Sequence, residues 1–416
     1  MQPPAFSLII VSRHRPDWLR RCLKAVGQLD YPRFESIVVA CPEGEEVAKA
    51  VPGTRVIGFD AANISAARNA GADAAWGDII AFLDDDSVPE PTWLAHLALA
   101  FADPEVVQAG GITLGRNGIS VQHGAALVDD TGHSHPLHMA PSEPVVIHPK
   151  DHCHPRLHGT NMALRRAALL EHGGFDTRFA FYLDETDLSY RISRAGGKTV
   201  FQPKAVVHHA SGASRFRQAD RTPRDVLEIA ASAAVFHLTH SPTSKRNAAQ
   251  DAFLSERRNW ILRHMQTGGL PPDRAWALIR DLDAGYAAGR SRVTRQPAQW
   301  SVLERGDIVP TTTTARAGDL CLVTSGGNAK DIHSKAKDLV AQGNRVTVLD
   351  YQRTARFHHV RFTQDGVWLH TGGIYGKEMR TEPMFRKSSK EERWRQTLDR
   401  LAGIRSIDPL NFVDKT

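Results

Sequence analysis

Between Phe6 and Leu83, short apolar runs alternate with stretches of helical periodicity, and this alternation confines the chain to a sheet with connections laid over both faces. Phe6 to Val11 is an unbroken apolar run apart from Ser7, the pattern of a buried strand. From Pro16 to Val26 the residues Trp18, Leu19, Cys22, Leu23 and Val26 recur at helix-face spacing. Residues 36–41, 55–59 and 79–83 read as further strands, and 45–51 and 64–75 as helices. Strand and helix in strict succession predict a mainly parallel sheet, because parallel neighbours need long crossover connections and helices supply them.

The last of these strands runs straight into Asp84, Asp85 and Asp86. In open α/β sheets ligands bind beyond the strand ends, so the position of the acidic cluster matters as much as its charge. Three adjacent carboxylates repel one another and resist desolvation, and a hard divalent ion, Mg²⁺ or Mn²⁺, answers both problems. A solvated acidic turn is the competing reading, since Ser87, Pro89 and Pro91 follow. The helix preceding this strand opens at Asn63 and carries Arg68, so it reads either as a capped helix packed through Ala and Gly or as a cationic end that holds a diphosphate. A second acidic group, Asp184, Glu185 and Asp187, occupies the first turn of an amphipathic segment, where the helix dipole favours it and where a proton acceptor would also serve. After a strand at 198–202 come His208 and His209, either packed side chains or metal ligands.

With 416 residues the chain has room for two or three domains, and its balance of apolar and charged residues is that of a folded protein. Four scattered cysteines, Cys22, Cys41, Cys153 and Cys321, lack CxxC spacing and suit a reducing compartment. Without a run of about 20 apolar residues, a cytoplasmic location is expected. The net charge of +6 is compatible with phosphorylated ligands or with peripheral association at the inner face of a membrane, and no nucleic-acid partner is expected. His148, His152, Cys153, His154 and His158 raise a zinc reading, but a single cysteine and interrupting prolines favour an irregular loop. Residues 222–292 read as helical, and strand, helix and strand resume with Asp319–Thr324, 332–341 and 345–349. The expected domains are 1–221, 222–310 and 311–416, with 311–314 as a linker.

Taken in order, several segments resemble the family 2 inverting glycosyltransferases of the GT-A fold. They are the opening Ile10-Val11-Ser12-Arg13-His14-Arg15-Pro16, the helix Ala67-Arg68-Asn69-Ala70-Gly71, Phe82-Leu83-Asp84-Asp85-Asp86 with Pro89 and Trp93, Gly159-Thr160-Asn161, Gly173-Gly174-Phe175-Asp176, the Asp184 to Leu188 box and His209. The C-terminal strand with Ser325-Gly326-Gly327-Asn328 resembles the opening of a family 4 type GT-B glycosyltransferase, read here as a partial accessory domain.

The first resemblance implies a mostly parallel α/β sheet and metal-dependent transfer from a nucleotide-diphosphate sugar to a hydroxyl of a glycan or lipid-linked acceptor, in surface polysaccharide synthesis. It implies Asp84 and Asp86 as metal ligands with His209 as a third, and Mn²⁺ or Mg²⁺ as the ion. Ser12, Arg13, Arg68, Asp85 and Asn161 fall on donor-binding positions, and Glu185 or Asp184 on that of the general base. Two departures stand out: Cys41-Pro42-Glu43 lies where many relatives carry a base-reading acid, and His14 replaces the usual Asn. A catalytically silent binding or assembly module and a sugar nucleotidyltransferase are the alternative functions. The latter would show a Gly-rich basic loop where this chain has Ser12-Arg13-His14-Arg15-Pro16.

Overall fold

The computed structural model describes residues 2–416 apart from 140, 302–305, 307, 309, 312–316, 326–328, 380, 408–411 and 415–416. Its main sheet runs in the order Val145–Ile147, Lys198–His209, Val106–Leu114, Met162–Arg165, Ile79–Asp84, Phe6–Ser12, Phe34–Ala40, Thr54–Gly58. The last three strands and Ile79–Asp84 are mutually parallel, Met162–Arg165 is inserted antiparallel, and Val106–Leu114 and Lys198–His209 resume the common direction. The mostly parallel α/β sheet expected from the sequence is therefore present.

Its central strand explains why. Phe6, Leu8 and Ile10 pack into one core with Leu19 and Leu23 of the helix Pro16–Val26, while Ile9 packs into another with Ala67 and Ala72 of the helix Ile64–Asp73. A strand buried on both faces reads as a near-continuous apolar run, which is what made it legible; its buried Ser7 bonds Glu35 (2.6 Å). The helix Pro16–Val26 has the bounds the periodicity predicts, whereas the next begins at Pro42 instead of residue 45, because proline is suited to a first helical turn. The strand expected at 198–202 continues to His209, through an irregularity between Gln202 and Val207 that accommodates Pro203. In the stretch where periodicity fails, Ala126–Val128, Ser134–Pro136 and His154–Arg156 form a small antiparallel sheet whose strands are too short to show a period.

Three helices follow, Leu227–His240, Arg246–Gln266 and Pro272–Ser291. The chain then crosses back over the first unit: the Ala298 N–H donates to the Gly173 carbonyl (3.0 Å), and the Ser301 N–H to Asp73 (2.7 Å). Thr311 is buried there, its N–H on the Phe34 carbonyl and its hydroxyl 3.0 Å from Ser36 Oγ. Thr311 is thus tied down where a linker was expected, and 312–314 lie outside the described residues. A third sheet follows in the order His359–Phe362, Trp368–Gly373, Arg345–Gln352, Asp319–Thr324, Phe412–Asp414, with the helix Ala329–Ala341 between its first two strands in the chain. The loop Gly326-Gly327-Asn328 lies outside the described residues. This unit packs on the first through Trp368, Val360 and Phe362 against Ala25, Val88 and Ile119.

Candidate active site

Asp84 closes the strand Ile79–Asp84, and Asp85 and Asp86 turn the chain into the short strand Ser87–Pro89. That strand pairs antiparallel with the end of Lys198–His209, Ser87 opposite His209. Strand pairing, not sequence proximity, thus brings His209 to the acidic turn: His209 Nε2 is 3.3 Å from Asp86 Oδ1. Ligand atoms of Asp84, Asp86 and His209 all lie within 4.8 Å of one another. Two carboxylates and an imidazole converging from two strands fit a hard-to-borderline divalent ion, and Asp84 keeps a solvent-facing side.

The remaining charge in the turn is answered from the protein. Arg15 forks onto Asp85 and reaches Asp86 Oδ2 at 3.1 Å, Ser12 Oγ donates to Asp85 Oδ2 (2.8 Å), and the Gly212 N–H donates to Asp86 Oδ2 (2.8 Å). Asp85 and Asp86 are 0% and 1% exposed. Burial, with Asp86 beside it, drives the Asp85 carboxyl up to about 7 against the pull of Arg15. Burial works against the Asp86 charge as well, but His209, Arg15 and the Gly212 N–H outweigh it and hold that carboxyl well below the usual range.

Arg68 joins the two acidic groups. Its guanidinium donates to Asp84 Oδ1 (3.2 Å) and to Asp184 Oδ2; Arg68 and Asp184 are buried, whereas Asp84 is partly exposed. A Cβ at Gly159 would overlap this guanidinium, so glycine there leaves room for it. The helix that carries Arg68 is capped by Asn63, whose Oδ1 accepts the Ala66 N–H (2.9 Å). Burial and the like charge of Glu185 push Asp184 up to about 7 despite Arg68. Glu185 faces more open surroundings, its side chain 14% exposed and 4.0 Å from Arg156 Nη2.

A cleft of about 370 Å³ opens beside the acidic turn, lined by Ser12, Arg13, Arg15, Asn63, Phe181 and Phe216 among others. Arg13 is held at its rim by Asp60 (3.0 Å). His14, in the left-handed region at φ 55°, sits between Glu43 (3.6 Å) and Asp60 (3.4 Å), with its N–H on Cys41 Sγ. Acid at this rim therefore comes from Glu43 and Asp60.

Of the residues anticipated from sequence, Asp84, Asp85, Asp86, His209, Ser12, Arg68 and Asp184 form one connected network, with Glu185 and Arg13 at its edges. Asn161 stands apart. Its amide donates to the Ile112 and Ala205 carbonyls (3.0 and 2.9 Å) and accepts from Trp93 Nε1 (2.9 Å), so its polar atoms bind the sheet together. The histidine-rich segment gathers no metal-type cluster among the described residues. His154 bonds Ser193, and His158 stacks on His123 at 3.9 Å. Burial and the nearby cations keep both stacked rings neutral, His123 down to about 3. Sequence reasoning missed Arg15 and Gln122, the latter contacting His209 Nδ1 at 3.1 Å. An arginine directly before the Pro that opens a helix was the one available signal, and for Gln122 there was none.

Among curated proteins, the chain is 29% identical over 236 residues to the O-antigen biosynthesis protein RfbC of Myxococcus xanthus, covering 53% of this chain and 18% of that protein. Over 54 residues it is 41% identical to the N-acetylglucosaminyl-diphospho-decaprenol L-rhamnosyltransferase of Mycobacterium tuberculosis, covering 13% of this chain and 18% of the enzyme. The chain thus spans less than a fifth of the length of either. Among solved structures, the mannosyltransferase PcManGT of Pyrobaculum calidifontis, in complex with GDP-Man and Mn²⁺, aligns with TM-score 0.41 and 15% identity over 70% of this chain and 88% of that one. Residues 3–226 match the family model described as glycosyltransferase like family 2. That span holds every side chain of the network above and more than half of the molecule, and the chain belongs to the glycosyltransferase-like family 2.

Proposed function

We propose that this protein is a metal-dependent inverting glycosyltransferase that moves a sugar from a nucleotide diphosphate to a hydroxyl of a glycan or lipid-linked acceptor during surface polysaccharide synthesis. The observation that carries the reading is the convergence of Asp84, Asp86 and His209 beside a cleft of nucleotide size. A Mn²⁺ or Mg²⁺ held by these three would supply positive charge to offset that of the leaving diphosphate. Ser12 and Arg13 line the nucleotide cleft, and Asp85, fixed by Ser12 and Arg15, lies toward the ribose or sugar. Arg68 keeps Asp84 and Asp184 in register. Asn161 fixes the strand floor beneath donor and acceptor.

Glu185 is the general base of this reading. It is the more exposed of the two candidates and is not committed to Arg68, so it is free to take the acceptor proton as the hydroxyl oxygen attacks the anomeric carbon from the face opposite the diphosphate. One displacement inverts the configuration.

Residues 1–221 would carry the chemistry, 222–310 a helical extension, and 311–416 a partial α/β accessory domain of the kind that opens GT-B enzymes. Exposed Phe357, Met379, Met384 and Phe385 lie close to Lys377 and Arg386 on that last unit, a mix of apolar and cationic groups suited to an anionic lipid surface.

The test is calorimetry of UDP, GDP, CDP and dTDP with and without Mn²⁺. One nucleotide is expected to bind in a metal-dependent way that Asp86→Ala removes. Binding of none, or binding indifferent to both metal and Asp86, would favour a silent binding module.

A further inference from the structure

The strand end that carries His209 has a second face. Successive side chains of a strand point to opposite sides, so while His209 faces Asp86, its neighbour His208 faces the C-terminal unit. There His208 Nε2 lies 2.8 Å from Glu90 Oε1. Glu90 directly follows the strand Ser87–Pro89, which Asp86 directly precedes. Glu90 and His208 therefore sit on the two paired segments that present Asp86 and His209, and the Ala210 N–H on the Asp86 carbonyl (3.0 Å) closes the same pairing.

Both are gripped from far along the chain. Arg405 donates from Nε to Glu90 Oε2 (3.0 Å) and from Nη2 to Glu90 Oε1 (2.7 Å). Its guanidinium lies 3.8 Å above the Trp368 ring and contacts Thr347 Oγ1 (3.2 Å) and His370 Nε2 (3.3 Å). Glu90 is 0% and Arg405 1% exposed. Such a pair loses hydration on both partners, and a packed apolar pair would stabilise the interface as well or better. What an apolar pair lacks is the fork, which fixes a carboxylate in angle as well as distance. The carboxylate so fixed is the one that also holds His208.

We propose that Arg405 is a positioning residue for the metal site: by clamping Glu90 and, through it, His208, the C-terminal unit sets the separation of Asp86 and His209. The proposal rests on the reading of Asp84, Asp86 and His209 as metal ligands. Its test is a Mn²⁺ titration of the full chain followed by electron paramagnetic resonance, without nucleotide, with melting temperature measured alongside. Arg405→Met is expected to weaken Mn²⁺ binding about tenfold or more, the scale of losing an outer-shell partner. That variant also strands Glu90 as a buried lone charge, so Glu90→Gln with Arg405→Met serves as the second variant. It should regain melting temperature while Mn²⁺ binding stays weak. Wild-type Mn²⁺ affinity in either folded variant overturns the proposal and leaves Arg405 a structural residue. If Asp86→Ala and His209→Ala leave Mn²⁺ binding unaltered, the metal reading itself falls, and the positioning role with it.

Discussion

Asp184 and Glu185 are adjacent, yet their surroundings differ. Asp184 is 2% exposed and bound to Arg68, whereas the side chain of Glu185 is 14% exposed and lies beside Asp184 and 4.0 Å from Arg156. Glu185→Gln should therefore lower kcat about 10²–10⁴-fold, the range for a lost general base, with little change in nucleotide or Mn²⁺ affinity. Asp184→Asn should instead weaken nucleotide binding, because Arg68 would keep Asp84 but lose the second of the two carboxylates that fix it. Single-turnover rates and calorimetry on both variants separate the two, and loss of turnover with intact binding in Asp184→Asn alone would exchange the assignments. The carboxylates and His209 were legible because their residue types announce their chemistry. The direction of a side chain is not written that way: Asn161 carries the polarity of a ligand contact but spends it on Ile112, Ala205 and Trp93. Arg15 and Gln122 reach the site only because strands distant in sequence become neighbours.

Among elements, the helix Asp184–Arg194 is tied to the helical segment by one carboxylate. Asp187 takes Arg191 Nε at 2.9 Å and His240 Nε2 at 2.8 Å, and is 0% exposed. Burial opposes its charge, but Arg191 and His240 prevail and bring its carboxyl down to about 2. A carboxyl depressed below its ordinary value of about 3.9 stabilises the fold fully above that pH and loses its contribution as pH falls through the depressed value. Stability should thus decline from about pH 4 toward pH 2, by roughly 2 kcal/mol from this group. Glu90, also brought down to about 2 by Arg405 and His208 against burial, adds to the same decline. Asp187→Asn should cost about 2–3 kcal/mol at neutral pH and flatten the acid limb, as urea unfolding across pH would record.

The helices Leu227–His240 and Pro272–Ser291 approach closely where Gly285 and Gly289 face the Leu227 and Ala231 carbonyls. A Cβ at either would drive into backbone. Although alanine is the better helix former, Gly289→Ala should lower stability by about 1–3 kcal/mol, visible as a lower melting temperature. Periodicity revealed that these helices exist. It did not reveal this contact, since a glycine inside a helix reads as a weakness until its neighbour is known.

For the whole molecule, the first unit and the C-terminal unit are joined by built contacts. Arg345 Nη1 donates to Asp30 (2.9 Å) and Trp368 Nε1 to Gln28 Oε1 (3.1 Å), and the Val360 N–H reaches the Asn117 carbonyl (2.8 Å). The sequence divided into recognisable stretches, but nothing in it told that the last would lie against the strand that carries His209, because each cross-contact pairs residues hundreds of positions apart. The proposed lipid-facing patch also belongs to this scale. Met384 and Phe385 are 72% and 60% exposed. The protein should sediment with vesicles containing anionic lipid and not with neutral ones, and Met384→Ser with Phe385→Ser should sharply reduce the bound fraction. Equal recovery with both vesicle types would refute that surface.

The Glu90–Arg405 contact also bears on inheritance. Loss of the charge at either position takes from the other its forked partner in a buried place, so the two positions should tend to change together. Exchange of C-terminal segments between relatives meets the same restriction: a recombinant that takes its first unit from one parent and its last from another keeps a working junction only when the two parents match at this pair.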